Sequence, residues 1–159
     1  MVTGGIFTSD KNIWETPQDL FDELNEEFGF TLDAAASEWN HKLDNYYTVE
    51  EDGLLQDWGG QTVWCNPPYG NKETGIWTRK CYEESLKPNT TVVLLLPART
   101  DRKSFHDYIY HNAEIRFVKG RLKFEMGGEP IGTAPFPSML CIFGEKKGDN
   151  EWNTHKKEI

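Results

Sequence analysis

Asn66-Pro67-Pro68-Tyr69 is the stretch of this sequence best suited to chemistry. An amino group conjugated with an aromatic ring is a poor nucleophile, because its lone pair is delocalised. Two acceptors, one per amino hydrogen, would pull that nitrogen toward a tetrahedral shape and aim the lone pair at an electrophilic methyl. The side-chain oxygen of Asn66 and the backbone carbonyl of Pro67 suit that task, and prolines stiffen the turn without adding competing N–H donors. Tyr69 offers a flat ring on which an extruded base can stack. A plain strand-ending turn is the simpler reading. The rarity of the four-residue word, and its place directly after Val63-Trp64-Cys65, favour the chemical one.

The elements that must hold this motif can be read from periodicity. Thr16-Pro17-Gln18-Asp19 predicts a helix start with Thr16 as cap, and Leu20, Phe21, Leu24 and Phe28 then repeat at helical spacing until Gly29. Phe30 to Leu32 predicts a strand ending at Asp33, and Ala34 to Tyr47 a segment that starts as helix. Asp52-Gly53 reads as a turn, Gln61 to Cys65 as a strand and Thr74 to Leu86 as a helix. Thr91 to Leu96 is apolar enough to be buried on both faces, as in a parallel sheet. A helix over Asp101–Ile109 and strands over Glu114–Val118 and Ser138–Phe143 complete the pattern. Strands alternating with helices predict an open, mostly parallel α/β sheet, whose ligands sit at the carboxyl ends of strands. Asp33, Asn66 and Pro97-Ala98-Arg99 all fall there.

A chain of 159 residues suffices for one domain. The expected division is a flexible N-terminal segment (1–13), a catalytic domain (14–143) and a polar C-terminal tail (144–159). No apolar run reaches membrane-spanning length, and the N-terminus lacks the features of a secretory signal. Cys65, Cys81 and Cys141 are far apart and odd in number, and His41, His106, His111 and His155 show no ligand spacing. Neither a disulfide scaffold nor a metal site is expected, and a reducing cytoplasm, bacterial or phage-infected, fits. No oligomeric state is indicated.

The net charge of −9 argues against a nucleic-acid partner until its distribution is considered. Residues 1–71 hold 14 of the 26 acids and two bases, Lys11 and Lys42. From Arg99 to Lys123 there are seven bases (Arg99, Arg102, Lys103, Arg116, Lys119, Arg121, Lys123) against Asp101, Asp107 and Glu114. An acidic half and a basic segment suit two differently charged ligands, although an ordinary solvated surface reads the same way. Arg99, Arg102 and Lys103, with Arg121 and Lys123, are the candidates for phosphate contact.

Asn-Pro-Pro-Tyr resembles the catalytic motif of amino-group methyltransferases acting on adenine. The longer pattern resembles the phage-type DNA N-6-adenine methyltransferase (Dam) family. Its landmarks are Trp14-x-Thr16-Pro17, Leu32-Asp33-x-Ala35-Ala36, Asp52-Gly53-Leu54, Trp64-x-Asn66-Pro67-Pro68-Tyr69, Leu95-Leu96-Pro97-x-Arg99, Gly120-Arg121-Leu122-Lys123-Phe124 and Ala134-Pro135-Phe136-Pro137-Ser138. The resemblance implies a single-domain, Rossmann-like methyltransferase fold with helices on both faces of the sheet. It implies S-adenosylmethionine as cofactor, double-stranded DNA as substrate, and direct displacement by N6 of an extruded adenine.

It also implies roles. Asp33 matches the carboxylate that holds the cofactor's amino-acid end, where a helix cap is the bland alternative. Thr16 and Pro17 resemble a segment lying against the cofactor, and Asp52 the acid that receives the cofactor adenine's amino group. Ala35 belongs to Ala34-Ala35-Ala36-Ser37, which stands where these enzymes usually have a glycine-rich turn. Glu50 and Glu51 are candidates for the ribose on position alone. Trp39, Trp58 and Trp77 read as core or rim packing rather than base platforms. With little chain left for a base-reading domain, target choice falls to loops such as Asn71–Gly75 and Glu125–Pro135. Two rivals remain: a protein glutamine N-methyltransferase, which uses the same motif, and an inactive DNA-binding or phage interaction protein on this fold.

Overall fold

In the computed structural model residues 13–144 are described, so nearly all of the expected N-terminal segment and of the C-terminal tail lies outside them. Within the described residues seven strands run in chain order: β1 (Leu32–Asp33), β2 (Thr62–Cys65), β3 (Thr91–Pro97), β4 (Glu114–Phe117), β5 (Lys123–Met126), β6 (Glu129–Thr133) and β7 (Ser138–Gly144). Two helices, α1 (Gln18–Phe28) and α2 (Asn71–Ser85), and a short π-helix at Phe105–Ile109 accompany them. Five strands form one sheet in the order β1-β2-β3-β7-β4, and β5 and β6 pair separately.

The sheet is mixed, which corrects the expectation of a mostly parallel one. β1, β2 and β3 pair in parallel, but β7 is antiparallel to both β3 and β4. The physical reason is the connection. Parallel neighbours are joined by a crossover, usually a helix packed on the sheet, whereas the chain between β4 and β7 carries only the β5–β6 hairpin, so β7 returns antiparallel to β4. As its apolar run predicts, β3 is buried along its whole length.

The two long helices cover opposite faces. Trp64 packs edge-on against Phe21 of α1, with ring centroids 5.7 Å apart, while the next residue, Cys65, meets Cys81 of α2. Successive side chains of a strand point to opposite faces, so α1 and α2 cannot share one. On the α1 side Arg116 of β4 is buried against Glu27. On the α2 side Tyr82 packs on Phe143 of β7.

Four local expectations are corrected. Thr16 does not cap α1: Pro17 occupies that position with no side-chain cap, and the Thr16 hydroxyl is engaged by Asn66. Ala34 to Tyr47 is not helical, because Ser37 and Asn40 bond to neighbouring backbone N–H groups instead of allowing a helix. This segment loops out and returns so that Tyr46 forms a parallel bridge with Asp33. Asn71–Gly75 is not a loop but the first turn of α2. Glu125–Pro135 is not a loop either, since it carries most of the β5–β6 hairpin, turning through Gly127 and Gly128 at φ 61° and 85°. Those angles lie in the left-handed region that favours glycine.

Candidate active site

The carboxyl ends of β1 and β2 open onto a cavity of about 730 Å³. Its wall takes Asp33 and Ala34–Ser37 from the end of β1, Asn66 and Pro68 from the end of β2, and Asp52 and Gly53 from the turn between them. Trp14, Glu15 and Thr16 close one side, and Glu125, Met126 and Gly127 of the hairpin reach over it. Six residues predicted for function therefore meet in one place: Thr16, Asp33, Ala35, Asp52, Asn66 and Pro68.

Asn66 is held from three directions. Its Nδ2 donates to the Trp14 carbonyl at 2.5 Å and to Thr16 Oγ1 at 2.9 Å. Its Oδ1 accepts from the Tyr69 hydroxyl at 2.5 Å. That hydroxyl also reaches the Leu95 carbonyl of β3. A carbonyl only accepts, so Trp14 fixes the amide nitrogen on its own side and leaves Oδ1 as the acceptor.

Tyr69 itself is buried, edge-on to Phe124 and Phe136, and Pro67 is buried beside it. Neither lines the cavity. In this conformation the Tyr69 ring is packed rather than open for stacking. The exposed flat ring on the wall is Trp39, 85% exposed, whereas Trp58 and Trp77 are buried. Of the three, Trp39 is the one at the rim rather than in the core.

Asp33 is 3% exposed. Burial raises its carboxyl from 3.8 to about 6, against the opposing pull of backbone N–H groups of Lys42 and Ala35 and the charges of His41 and Lys42. A buried carboxylate on a cavity wall is a ready partner for a cation. Asp52 stands at φ 56°, a left-handed conformation that is costly for a non-glycine residue, and its Oδ1 accepts from the Leu54 N–H at 3.1 Å. Next to it, Gly53 passes so close to the Ala34 carbonyl that an added Cβ would lie 2.2 Å away. The turn between β1 and β2 is thereby pressed against the chain that follows Asp33. Pro17 is not part of the wall, nor are Glu50 and Glu51; Glu51 turns back to Thr48.

Several wall residues escaped the sequence reading. Glu15, whose carboxyl is raised by burial, accepts the Gly127 N–H, and its carbonyl accepts the Glu125 N–H. The hairpin therefore docks on the strand-like piece 14–16. Trp14 completes the joint, edge-on to Phe124 and Phe136 at 5.5 and 5.3 Å. The landmark residues Phe124 and Phe136 were the available signal, since aromatics in otherwise polar stretches call for a packing partner.

The basic residues divide. Arg99 lies exposed beyond the carboxyl end of β3. Arg102 donates to Asn71 Oδ1 at 2.9 Å, and Lys103 pairs with Asp107. Arg121 and Lys123 are exposed at the root of the hairpin. Arg116, by contrast, is 1% exposed and ion-paired with Glu27 and Glu114, so it belongs to the fold rather than to a ligand face. Among the described residues no group of three or more His, Cys, Asp or Glu is arranged to hold a metal, and no helix is long and apolar enough to cross a membrane.

Comparison with known proteins gives this geometry a lineage. The chain is 34% identical to a DNA N-6-adenine-methyltransferase of Haemophilus phage HP1 over 143 residues, which is 87% of this chain and 82% of that protein. It is 32% identical to a DNA N-6-adenine-methyltransferase of Escherichia phage T1 over 120 residues, covering 74% of this chain and 49% of the phage protein, about half its length. The model of the DNA N-6-adenine-methyltransferase (Dam) family matches residues 5–157. With its motif, cavity and landmarks in place along nearly the whole sequence, the chain belongs to the DNA N-6-adenine-methyltransferase (Dam) family.

Proposed function

We propose that this protein transfers a methyl group from S-adenosylmethionine to the N6 amino group of adenine in double-stranded DNA. The observation that carries the reading is the meeting of Asn66 and the buried Asp33 on one cavity wall. A cavity of about 730 Å³ has room for a cofactor and a base together. The cofactor, when bound, supplies the electrophilic methyl.

The chain's own residues do the rest. Asp33 faces the ammonium end of the cofactor with a charge that burial makes more effective. Asp52 receives an adenine amino group at the other end, and Ala35 allows close approach. Asn66 Oδ1, with a lone pair beyond the one Tyr69 uses, accepts one hydrogen of the N6 amino group; the Pro67 carbonyl, behind the wall in this conformation, must turn toward the cavity to accept the second. Held so, N6 would attack the methyl as the bond to the sulfonium sulfur breaks, leaving a neutral thioether, and one amino proton would then pass to solvent; the barrier falls through positioning. Arg99, Arg102, Lys103, Arg121 and Lys123 hold phosphates outside the cavity, whose carboxylates (Glu15, Asp33, Asp52, Glu125) repel them. The β5–β6 hairpin, every residue of β6 exposed, takes the base-reading role, because Asn71–Gly75 is bound into α2. Its small size fits a short recognition sequence.

Transfer of labelled methyl, offered in parallel to duplex DNA and to a protein extract, tests the assignment. DNA should take the label at adenine N6, and Asn66→Ala should lower that rate about 100-fold or more while cofactor binding persists, by analogy with deleted oxyanion-hole groups. Labelled glutamine would establish the protein-methylating rival. Cofactor binding with no transfer to either would establish the inactive one.

A further inference from the structure

We propose that Thr16 is a positioning residue for methyl transfer, acting through Asn66 rather than on the cofactor. This rests on the reading of Asn66 as the acceptor for adenine's amino group. The carboxamide of Asn66 has two N–H donors and two oxygen lone pairs. The Trp14 carbonyl and Thr16 Oγ1 accept the two donors at 2.5 and 2.9 Å, and the Tyr69 hydroxyl takes one lone pair. One lone pair remains, and it is the only hydrogen-bonding capacity left for a substrate. The amide can therefore meet adenine only as an acceptor, which is the sense the chemistry needs.

Without the threonine hydroxyl, one N–H of the half-buried amide loses its partner. The amide is then held on that side by Trp14 alone and can tilt, spoiling a geometry in which small misplacements cost large factors in rate. Thr16 is 3% exposed, and its hydroxyl is not used by the helix that follows. Pro17, directly after it, lacks the N–H that could compete for the threonine oxygen. Its sequence position, which resembles a cofactor-contacting segment, is explained instead by a partner 50 residues away.

The same arrangement explains why position 66 takes the amide and not the isosteric acid. An ionised aspartate would set two acceptors against each other at the Trp14 carbonyl. Only a protonated one could donate there.

The test compares Thr16→Val and Thr16→Ser in single-turnover methyl transfer at saturating cofactor, with cofactor affinity measured by calorimetry. Thr16→Val should be slower by about ten- to a hundredfold, with cofactor affinity within twofold of the parent, and Thr16→Ser should recover most of the rate. A Thr16→Val protein that keeps its rate, or loses cofactor affinity as much as rate, overturns the proposal; so does a serine variant no better than valine. If Thr16→Val does not fold, Asn66→Asp decides. Its rate relative to the parent should be low at neutral pH and rise as pH falls, and a ratio that is flat or falls would count against the clamp. Asn66→Ala separates the two readings: if it stays active, the function assigned to Asn66 fails, whereas an inactive Asn66→Ala with a fully active Thr16→Val removes only the role of Thr16.

Discussion

The Lys42 backbone N–H donates to Asp33 Oδ2 at 2.9 Å, so the loop after β1 closes over the carboxylate that ends it. Nine residues of chain thus build a pocket around one charge, and burial raises its carboxyl to about 6.

Cofactor affinity should follow that ionisation. A cationic ligand prefers the carboxylate, so affinity should hold above about pH 6 and weaken up to tenfold per pH unit below it. Binding at pH 6 should release about half a proton, seen as a dependence of calorimetric heat on buffer. Stability should move oppositely. Because the folded carboxyl titrates above the unfolded value, the folded state holds the extra proton between about pH 4 and 6, and ionising it costs stability as pH rises through that window. Asp33→Asn, which cannot ionise, should then be more stable at pH 7 by up to about 3 kcal/mol, yet bind S-adenosylmethionine much more weakly. An unchanged cofactor affinity in the folded variant would leave Asp33 without a ligand role.

The parts of this site that were legible in the sequence are those that depend on local pattern. Leu20, Phe21, Leu24 and Phe28 repeat as a helix must, Thr91–Leu96 is apolar as a doubly covered strand must be, and Asp33 and Asn66 stand where β1 and β2 end. What could not be read is set by partners far along the chain. Thr16 has the type and place of a cap, and only Asn66, 50 positions on, turns its hydroxyl elsewhere. The run of alanines after Asp33 favours helix by propensity, but Ser37 and Asn40 and the pairing of Asp33 with Tyr46 override it. The hairpin escaped because β6 is exposed throughout and shows no apolar alternation. The mixed sheet escaped because periodicity reveals strands and not their direction.

Gly53 makes the wall of the cavity sensitive to a single methyl group. A Cβ there would meet the Ala34 carbonyl at 2.2 Å and the Trp77 ring at 3.3 Å. The first contact is with backbone that cannot yield without moving the end of β1. Gly53→Ala should lower stability by about 1–3 kcal/mol, read by urea or thermal unfolding. It should also weaken cofactor binding, because Asp33 and Asp52 flank the strained contact. Parental stability together with parental cofactor affinity would mean that the close approach is not needed.

Arg116 sits inside the basic segment of the sequence but not on its surface. Its guanidinium spans Glu27 through two bonds of 2.8 and 2.7 Å and reaches Glu114 at 2.7 Å. Removing one partner of a buried ion cluster leaves uncompensated charge. Arg116→Ala should therefore cost about 3–5 kcal/mol in unfolding measurements. Where the variant remains folded, the salt dependence of DNA binding should match the parent, since Arg116 meets no phosphate. A lower salt slope in the folded variant would return Arg116 to the DNA face.

The exposed bases make the opposite prediction, with an order the charge count alone did not give. Among the described residues Arg99 makes no ion pair or side-chain hydrogen bond, Arg102 is tied to the neutral Asn71, and Lys103 is already paired with Asp107. A cation free to meet a phosphate displaces about one counterion, whereas one already neutralised displaces less. Neutralising all three should weaken binding to every DNA sequence alike and flatten the log–log salt dependence by roughly one unit per lost contact. Arg99→Ala alone should take the largest single share and Lys103→Ala the smallest. Affinity lost for one sequence only would make these residues base readers. An unchanged slope in the triple variant would move the DNA path away from the end of β3, toward Arg121 and Lys123 at the root of the hairpin.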